Sequence, residues 1–366
     1  MKKKTKVFTI DDSPIYRQIL RDIINSDPDL EYGGFASNGV IALKKIPLVD
    51  PDIITLDIEM PEMNGIETLD RIMKNFPKPV IMLSSFTKDG AEITFKALEL
   101  GAVDYIPKPE LSTTKENLDA IKNSLITKVK LFSNFKPSLH SSSAAIRPIF
   151  KQLLSENGTP VLGGLPSFEV PSIIKNPIDI VCIGSSTGGT VALSKIIPNI
   201  DTDIGIPIVI VQHMPKFYTN SFAKRLDTLS NLKVIEAQGN EILEPNTVYI
   251  AQGGLQMLVK NRKIFLDDSS PVNSHKPSVD PLFYSVAIEY RSHSLAVILT
   301  GMGADGSKGI EAISDAGGFT VAQDEESSVI FGMPGNAIKT GKINRIIPLD
   351  KIATFINDTV KISKHK

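Results

Sequence analysis

A glycine- and serine-rich segment in the second half of the chain has the residue types and spacing of a nucleophilic hydrolase. The segment GSSTGG, residues 184–189, follows the apolar run IDIVCI and precedes a helical stretch. Gly184, Ser186 and Gly188 form a Gly-x-Ser-x-Gly pattern, in which small flanking residues permit a sharp strand-to-helix turn that exposes the serine hydroxyl. Backbone N–H groups at the start of the next helix can hold an oxyanion. The pattern therefore predicts Ser186 as a candidate nucleophile.

A serine nucleophile needs a base and an acid that orients the base, and both residue types follow apolar runs in this half. His213 closes the run IPIVIVQH, and Asp305 lies in GMGADG, residues 301–306, after LAVILT. The carboxyl ends of parallel strands share one edge of a sheet, so these side chains can meet although they are distant in sequence. Their order along the chain, Ser, His, Asp, differs from that of ordinary α/β-hydrolases. We expect a separate solution to the same triad geometry.

Both glycine-rich segments also allow other interpretations. A Gly/Ser-rich turn after a strand can cradle phosphate, although Thr190 stands where a P-loop requires lysine. Residues 301–306 satisfy Gly-x-Gly-x-x-Gly, with Asp324 further along the chain, as in a dinucleotide-binding fingerprint. Against this interpretation, the motif comes late in its domain, and Asp305 would repel a pyrophosphate. An NAD-binding dehydrogenase is therefore kept as a minor alternative.

The first half carries an acidic cluster suited to phosphate chemistry. Asp11 and Asp12 end the first strand-like run and Asp57 ends the third, while Ser84 and Lys108 follow the fourth and fifth. Three carboxylates at one edge would repel one another unless a divalent cation lay among them, and such oxygen ligands suit Mg²⁺. A carboxylate nucleophile, a metal and a cation for the equatorial oxygens together predict a phosphoryl-transfer pocket.

The elements that must position these residues alternate between short apolar runs and amphipathic stretches. From residue 5 to about 131, five strand-like runs alternate with five helical ones, which indicates βα units and a parallel sheet. Residues 132–177 are rich in Ser, Gly and Pro with little periodicity, so we interpret them as a linker. The βα rhythm resumes from 178 to 366. Short runs between 231 and 267 lack an intervening helix and suggest a hairpin region inserted in an α/β sheet.

Composition narrows the class of protein. Lys+Arg number 40 and Asp+Glu 41, which argues against a protein whose main partner is nucleic acid or anionic lipid. Cys182 is the single cysteine, so neither an intramolecular disulfide nor a thiolate-rich zinc site can form. No stretch approaches the length of a membrane span, and the apolar run from Val7 to Ile10 is too short for a signal peptide. We expect a cytoplasmic protein without direct membrane insertion.

Residues 5–131 resemble the receiver domain of response regulators. The Asp-Asp pair, the segment LDIEMPEMNG, Ser84 and the ending YIPKP occur in family order. The resemblance implies a flavodoxin-like (βα)5 fold for residues 1–131, with Asp57 as acceptor of a phosphoryl group from a histidine kinase. It further implies Mg²⁺ at Asp11, Asp12, Asp57 and the backbone carbonyl of Glu59, phosphoryl contacts from Lys108 and Ser84, and a switch role for Tyr105.

Residues 178–350 resemble the catalytic domain of chemotaxis protein-glutamate methylesterases. The segments IGSSTGGT, VQHMP, HKPSVDPLF and LTGMGADGSKG follow one another in family order. The resemblance implies a doubly wound, mostly parallel α/β esterase domain over 178–366, with Ser186 as nucleophile, His213 as general base and acid, and Asp305 orienting the imidazole. It also implies a substrate pocket lined by Thr187, His275 and Met302.

The combined arrangement predicts a phosphorylation-regulated hydrolase that demethylates glutamate γ-methyl esters on transmembrane chemoreceptors. The resemblance allows deamidation of receptor glutamines as a second activity, because amide and ester share a tetrahedral intermediate. The expected partners are the histidine kinase of a two-component chemotaxis system and methylated chemoreceptors. The resemblance implies that the receiver needs Mg²⁺ and that the esterase needs no cofactor. The main alternative is a phosphorylation-dependent binding module with an inactive esterase domain.

Overall fold

The computed structural model of the protein describes residues 3–85, 87–108, 115–133 and 176–364. The chain divides into two compact units, residues 1–145 and 146–366. Most of the predicted linker, 132–177, lies outside the described residues. Within the described ranges, no helix combines the length and apolar character that crossing a bilayer requires.

The first unit contains a five-stranded parallel sheet with the order β2-β1-β3-β4-β5. This order and the strict alternation of strand and helix confirm the predicted flavodoxin-like fold. The strands are β1 Thr5–Ile10, β2 Leu30–Ala36, β3 Ile53–Asp57, β4 Val80–Ser84 and β5 Asp104–Pro107. The helices are α1 Pro14–Asn25, α2 Gly39–Val49, α3 Gly65–Asn75, α4 Lys88–Glu99 and α5 Lys115–Phe132.

Local capping fixes the loop that carries the paired aspartates at the end of β1. The Ser13 hydroxyl accepts a hydrogen bond from the Tyr16 N–H and caps α1, which has a proline at its start. The Arg17 guanidinium donates to the main-chain carbonyls of Asp11 and Asp12, at 2.8 and 2.7 Å. A side chain of α1 therefore fixes the backbone at both aspartates.

The second unit contains a seven-stranded sheet with the order β14-β13-β12-β6-β7-β9-β8. Every neighbouring pair in it is parallel. The strands are β6 Ile180–Ser185, β7 Ile208–Gln212, β8 Lys233–Glu236, β9 Thr247–Ile250, β12 Ser294–Ile298, β13 Phe319–Gln323 and β14 Arg345–Ile347. The helices are α6 Gly189–Ile196, α7 Tyr218–Leu229, α8 Val279–Tyr290, α9 Ser307–Asp315, α10 Met333–Lys339 and α11 Leu349–Lys364.

The region between residues 231 and 267 is only partly a hairpin. β10 Gln256–Lys260 and β11 Lys263–Asp267 form the predicted antiparallel hairpin as a separate two-stranded sheet. The two earlier runs instead form β8 and β9, which pair in parallel at the edge of the main sheet. Apolar side chains of the hairpin join the core built by β6, β7 and α8. The hairpin thus covers part of one sheet face, a position that a crossover helix usually occupies in a parallel sheet.

The strand order of the second unit reverses at β6, which begins the sheet and lies at its centre. The chain runs from β6 to β7 on one side and later returns to β12 on the other. In open parallel sheets, ligands bind at the carboxyl ends of the strands beside such a switch point. The sheet therefore presents the loops after β6, β7 and β12 as one candidate site.

Candidate active site

Ser186 directly follows β6, in the predicted strand–turn–helix segment. Gly188, with φ of 82°, precedes the first turn of α6, and a Cβ at that position would lie 2.6 Å from the Cβ of Val329. The left-handed conformation and the close approach both require glycine there. The Ser186 N–H donates to the Thr300 carbonyl at 3.0 Å, and the Thr300 hydroxyl donates to the Thr187 carbonyl at 3.0 Å. The turn carrying the serine is thus bound to the loop after β12.

His213 follows β7, and the register of the sheet sets it beside the serine. Ser185 pairs with Gln212 across β6 and β7, so Ser186 and His213 occupy the next positions on neighbouring strands. The buried Gln212 amide donates to the carbonyls of Ser186 and His213, at 2.9 and 3.1 Å. Its oxygen accepts from the Ser185 hydroxyl at 2.6 Å. One side chain therefore ties together the backbone of the candidate nucleophile and that of the candidate base.

Asp305 lies after β12 and contacts the imidazole directly. Its Oδ2 is 2.7 Å from His213 Nε2, and both side chains are almost fully buried. The carboxylate also accepts hydrogen bonds from the N–H groups of Val279 and Asp280, at the start of α8, and from two side chains, Ser278 and Asn273. Burial opposes its ionisation, but the bonds from His213, Ser278 and Val279 outweigh burial and hold the pKa of Asp305 well below its ordinary value.

An ionised Asp305 fixes which imidazole nitrogen can act as base. A carboxylate only accepts hydrogen bonds, so in the neutral ring Nε2 carries the proton and Nδ1 presents its lone pair. Nδ1 of His213 is buried and has no hydrogen-bond partner among the described residues. It is therefore the nitrogen available to take a proton from a hydroxyl. These roles are opposite to those of the two nitrogens in the chymotrypsin triad.

The imidazole of His275 lies flat against that of His213. The ring centroids are 3.8 Å apart and the planes meet at 18°. Burial, together with the neighbouring His213, lowers the pKa of His275 to about 4, so this ring is neutral near pH 7. Of the other two predicted pocket residues, Thr187 follows the serine with its carbonyl engaged by Thr300, and Met302 exposes 43% of its surface in the loop before Asp305.

In the first unit the predicted acidic residues do converge. Carboxylate oxygens of Asp11, Asp12 and Asp57 lie within 4.8 Å of one another. Lys108 Nζ lies 2.9 Å from Asp11 Oδ2 and 2.7 Å from Asp57 Oδ2. Burial raises the pKa of Asp57 to about 6, and Lys108 opposes that rise. Asp11 Oδ2 is buried, and within the described chain its partner is the Lys108 ammonium. A hard, oxygen-only donor set of this kind fits Mg²⁺.

The remaining receiver residues occupy the expected strand ends with different contacts. The Ser84 hydroxyl donates to the Gly90 carbonyl at 3.0 Å and accepts from Thr94, so it is engaged with α4 and its role toward a phosphoryl group stays a prediction. Tyr105 is buried on β5. The Glu59 N–H lies 3.4 Å from Asp57 Oδ1, and the proposed metal contact of its carbonyl also stays a prediction.

Sequence reasoning missed Gln212 and Asn273. Gln212 stands within the run VIVQH beside His213, and a polar residue ending a buried strand is a signal that could have identified it. Asn273, in VNSH, is an ordinary turn residue by type, and only its contact with Asp305 distinguishes it.

The comparisons with known proteins cover both units. Residues 7–121 match the family described as response regulator receiver domain, and residues 181–356 match CheB methylesterase. A protein-glutamate methylesterase/protein-glutamine glutaminase of Pyrococcus horikoshii is 40% identical, over 99% of this chain and 95% of that protein. The protein of the same name from Desulfotalea psychrophila is 42% identical, over 98% of this chain and 100% of the relative.

One solved structure, the CheB methylesterase catalytic domain of Thermotoga maritima, is 44% identical with a TM-score of 0.48 and covers 50% of this chain and 98% of its own. The full-length similarity to the curated relatives and the two family matches agree on one assignment. This chain belongs to the CheB family of protein-glutamate methylesterases/protein-glutamine glutaminases, in which a response-regulator receiver domain accompanies a hydrolase domain.

Proposed function

We propose that the chain hydrolyses glutamate γ-methyl esters on chemoreceptors through a triad of Ser186, His213 and Asp305. The observation that carries the proposal is the 2.7 Å contact between His213 Nε2 and an ionised Asp305, which leaves Nδ1 as a free base beside the serine strand. This pair gives the elbow at Ser186 the proton acceptor that a serine nucleophile needs.

The reaction follows the two-step course of serine hydrolases. Ser186 Oγ attacks the ester carbonyl while His213 Nδ1 takes the hydroxyl proton. The imidazolium, stabilised by Asp305, then protonates the departing methoxide, and methanol leaves an acyl-enzyme. Water, deprotonated by His213, attacks this ester and restores the receptor carboxylate and the serine hydroxyl.

The backbone hydrogen bonds narrow the choice of oxyanion donors. The N–H of Ser186 is engaged by Thr300, and that of Gly189 donates to the Ser186 carbonyl. We therefore assign the oxyanion to the N–H groups between them, chiefly that of Thr187, at the positive end of α6. The N–H of Met302 lies in the facing loop and is the second candidate.

Deamidation of receptor glutamine is the second activity we propose. An amide passes through the same tetrahedral intermediate, and ammonia replaces methanol as the leaving group once His213 protonates it. The curated relatives carry both activities in their name.

The receiver unit would make the hydrolase responsive to a two-component chemotaxis pathway. We propose that a histidine kinase transfers a phosphoryl group to Asp57 and that this transfer raises the esterase activity. Asp11, Asp12 and Asp57 would hold Mg²⁺, which neutralises charge on the transferring group when bound. Lys108, already within 3 Å of Asp57, would contact a phosphoryl oxygen. Kinase, ATP and the receptor's methylated segment meet in the cytoplasm, which is where we place the enzyme.

The test is methanol release from methylated receptor membranes, with and without Mg²⁺ and a small phosphodonor. We expect Ser186→Ala to abolish release and Asp57→Asn to abolish only the response to the phosphodonor. Ser185→Ala is the matched control, because that hydroxyl is buried against Gln212 and cannot attack a substrate. Ser185→Ala should retain measurable activity. Release that persists in Ser186→Ala would refute the proposal, and absence of release from the wild type would favour an inactive binding module.

A further inference from the structure

A two-residue turn before α8 delivers two side chains to the proposed triad. Val272 and His275 exchange both main-chain hydrogen bonds, at 3.1 and 2.8 Å, and so close a turn over Asn273 and Ser274. Both turn residues have positive φ, 51° and 66°. This is the backbone of a type I′ turn, for which asparagine is among the favoured residues. The residues on the two sides of Ser274 both reach the active site.

The Asn273 amide lies between two carboxylates. Its Nδ2 is 2.7 Å from Asp305 Oδ1 and 2.8 Å from Asp280 Oδ2. An amide NH₂ has two protons, so it can serve each carboxylate with one. The other oxygen of Asp280 accepts the Gly309 N–H at 2.7 Å. Asn273 therefore screens two acids that would otherwise repel each other and ties the catalytic one to an anchored neighbour.

The contacts of Asp305 divide between its two oxygens. Oδ1 accepts from Asn273, from the Ser278 hydroxyl and from the Asp280 N–H, whereas Oδ2 accepts from the Val279 N–H and faces His213. The bonds on Oδ1 set the rotation of the carboxylate and so aim Oδ2 at the imidazole. We propose that Asn273 is a positioning residue for the esterase reaction, which acts through Asp305 and never touches the substrate.

The same turn controls the plane of the base. His275 ends the turn, and its ring stacks on that of His213 at 3.8 Å. The turn thus fixes both the hydrogen-bond direction of the imidazole, through Asn273 and Asp305, and its ring plane, through His275. The inference rests on the triad proposed above, and its test must separate a failure of the triad from a failure of the turn.

The first variant is Asn273→Gly, which preserves the positive φ and removes only the amide. Of the two hydrogen bonds that this change removes, the one to Asp305 bears on the triad, and loss of a single bond to a charged group predicts a kcat about 10- to 100-fold lower, with KM nearly unchanged. Ser274→Gly is the matched control, because it changes the other positive-φ residue of the turn, and it should keep wild-type kcat. Wild-type kcat in Asn273→Gly, or an equal loss in Ser274→Gly, would overturn the inference while leaving the triad intact. A wild type without activity would instead refute the triad.

Asn273→Asp gives a readout that a purely structural role would not move. The new carboxyl would face Asp280 and Asp305, with His213 and His275 as the titratable neighbours beyond them. When ionised it repels both carboxylates, and when protonated it can donate to Asp305. The ratio of kcat in Asn273→Asp to that in Asn273→Gly should therefore be below one at pH 8 and rise as the pH falls toward 5.5. If Asn273→Gly proves too unstable to assay, the kcat of Asn273→Asp is divided by that of the wild type instead, with the same expected trend. A ratio independent of pH would overturn the inference.

Discussion

Replacement of Asp305 by asparagine tests the central contact of the proposed triad. The carboxylate now accepts five hydrogen bonds, and it determines that His213 Nε2 carries the proton. An amide has one oxygen and one NH₂. If its NH₂ faces His213, the imidazole must place its proton on Nδ1 and loses its basic nitrogen. If its NH₂ faces the other side, it meets donors from Asn273, Ser278 and the Asp280 N–H.

The size of the expected loss in kcat depends on which of the two amide orientations has the lower energy. Turning the NH₂ away from His213 sets it against two fixed donors, the Asn273 amide and the Asp280 N–H, and a Ser278 hydroxyl that can rotate. Turning it toward His213 sets it against one fixed donor, the Val279 N–H, and an imidazole that can change tautomer. We therefore expect the wrong tautomer to predominate. The same change in a serine-protease triad lowers kcat by about 10⁴. We expect Asp305→Asn to lower kcat by roughly 10³ to 10⁴, or about 4 to 5.5 kcal/mol.

Two assays separate loss of the base from loss of substrate binding. Methanol release from methylated receptor membranes measures turnover, and inactivation by a serine-directed phosphonate measures the reactivity of Ser186 without receptor. Both rates should fall in parallel. Asp315→Asn is the matched control, because that exposed carboxylate forms a surface ion pair with Lys342, and such pairs contribute little. A folded Asp305→Asn protein that keeps more than a tenth of wild-type activity in both assays would refute the assigned role of Asp305.

Three further predictions concern the residues around the triad. His275→Gln should leave the acid limb of the pH–rate profile in place, because the pKa of His275 is about 4. In the unfolded chain this histidine binds its proton near pH 6.5, so the free energy of unfolding of the wild type, measured in urea, should fall between pH 6.5 and 4 more than that of the variant. Gln212→Leu removes the partner of the buried Ser185 hydroxyl and of the His213 carbonyl, whereas the Ser186 carbonyl keeps the Gly189 N–H; the change should lower the free energy of unfolding by about 1 to 4 kcal/mol, measured by urea titration. Gly188→Ala should lower the free energy of unfolding by about 2 to 5 kcal/mol, through backbone strain and the contact with Val329, and should also lower kcat. Gly254→Ala is the control, because Gly254 has a φ of 87° but open space around it, and this change should lower the free energy of unfolding by only about 1 to 2 kcal/mol. Equal melting temperatures of the two variants would contradict this reasoning.

The sequence was sufficient for the residues that stand at the ends of buried parallel strands. Ser186, His213 and Asp305 each follow an apolar run, and the rule that such ends share one sheet edge brings them together. Asp57 and Lys108 were predictable on the same ground. Register confirms the reasoning for the serine and histidine, since Ser185 and Gln212 form a pair.

Other features depend on contacts that no local pattern encodes. The runs that became β8 and β9 have no helix between them, and this absence favoured a hairpin. The intervening loop instead bonds to distant segments, with Asn240 N–H on the Ile264 carbonyl and Leu243 N–H on the Arg262 carbonyl. The contact of Asn273 with Asp305 likewise spans separate elements, so its turn chemistry was visible but its partner was not.

The central position of β6 also has a consequence for the order in which the enzyme can become active. Ser186 and His213 follow consecutive strands, whereas β6 pairs with β12 from Ile180–Ser294 to Gly184–Ile298, and these two strands are far apart in the sequence. Such non-local pairings form late, because a long loop must close first. A nascent or refolding chain can therefore pair the strands of the nucleophile and the base before it acquires the acid. Recovery of esterase activity should then report completion of the sheet, and should lag behind any probe of the β6–β7 pair.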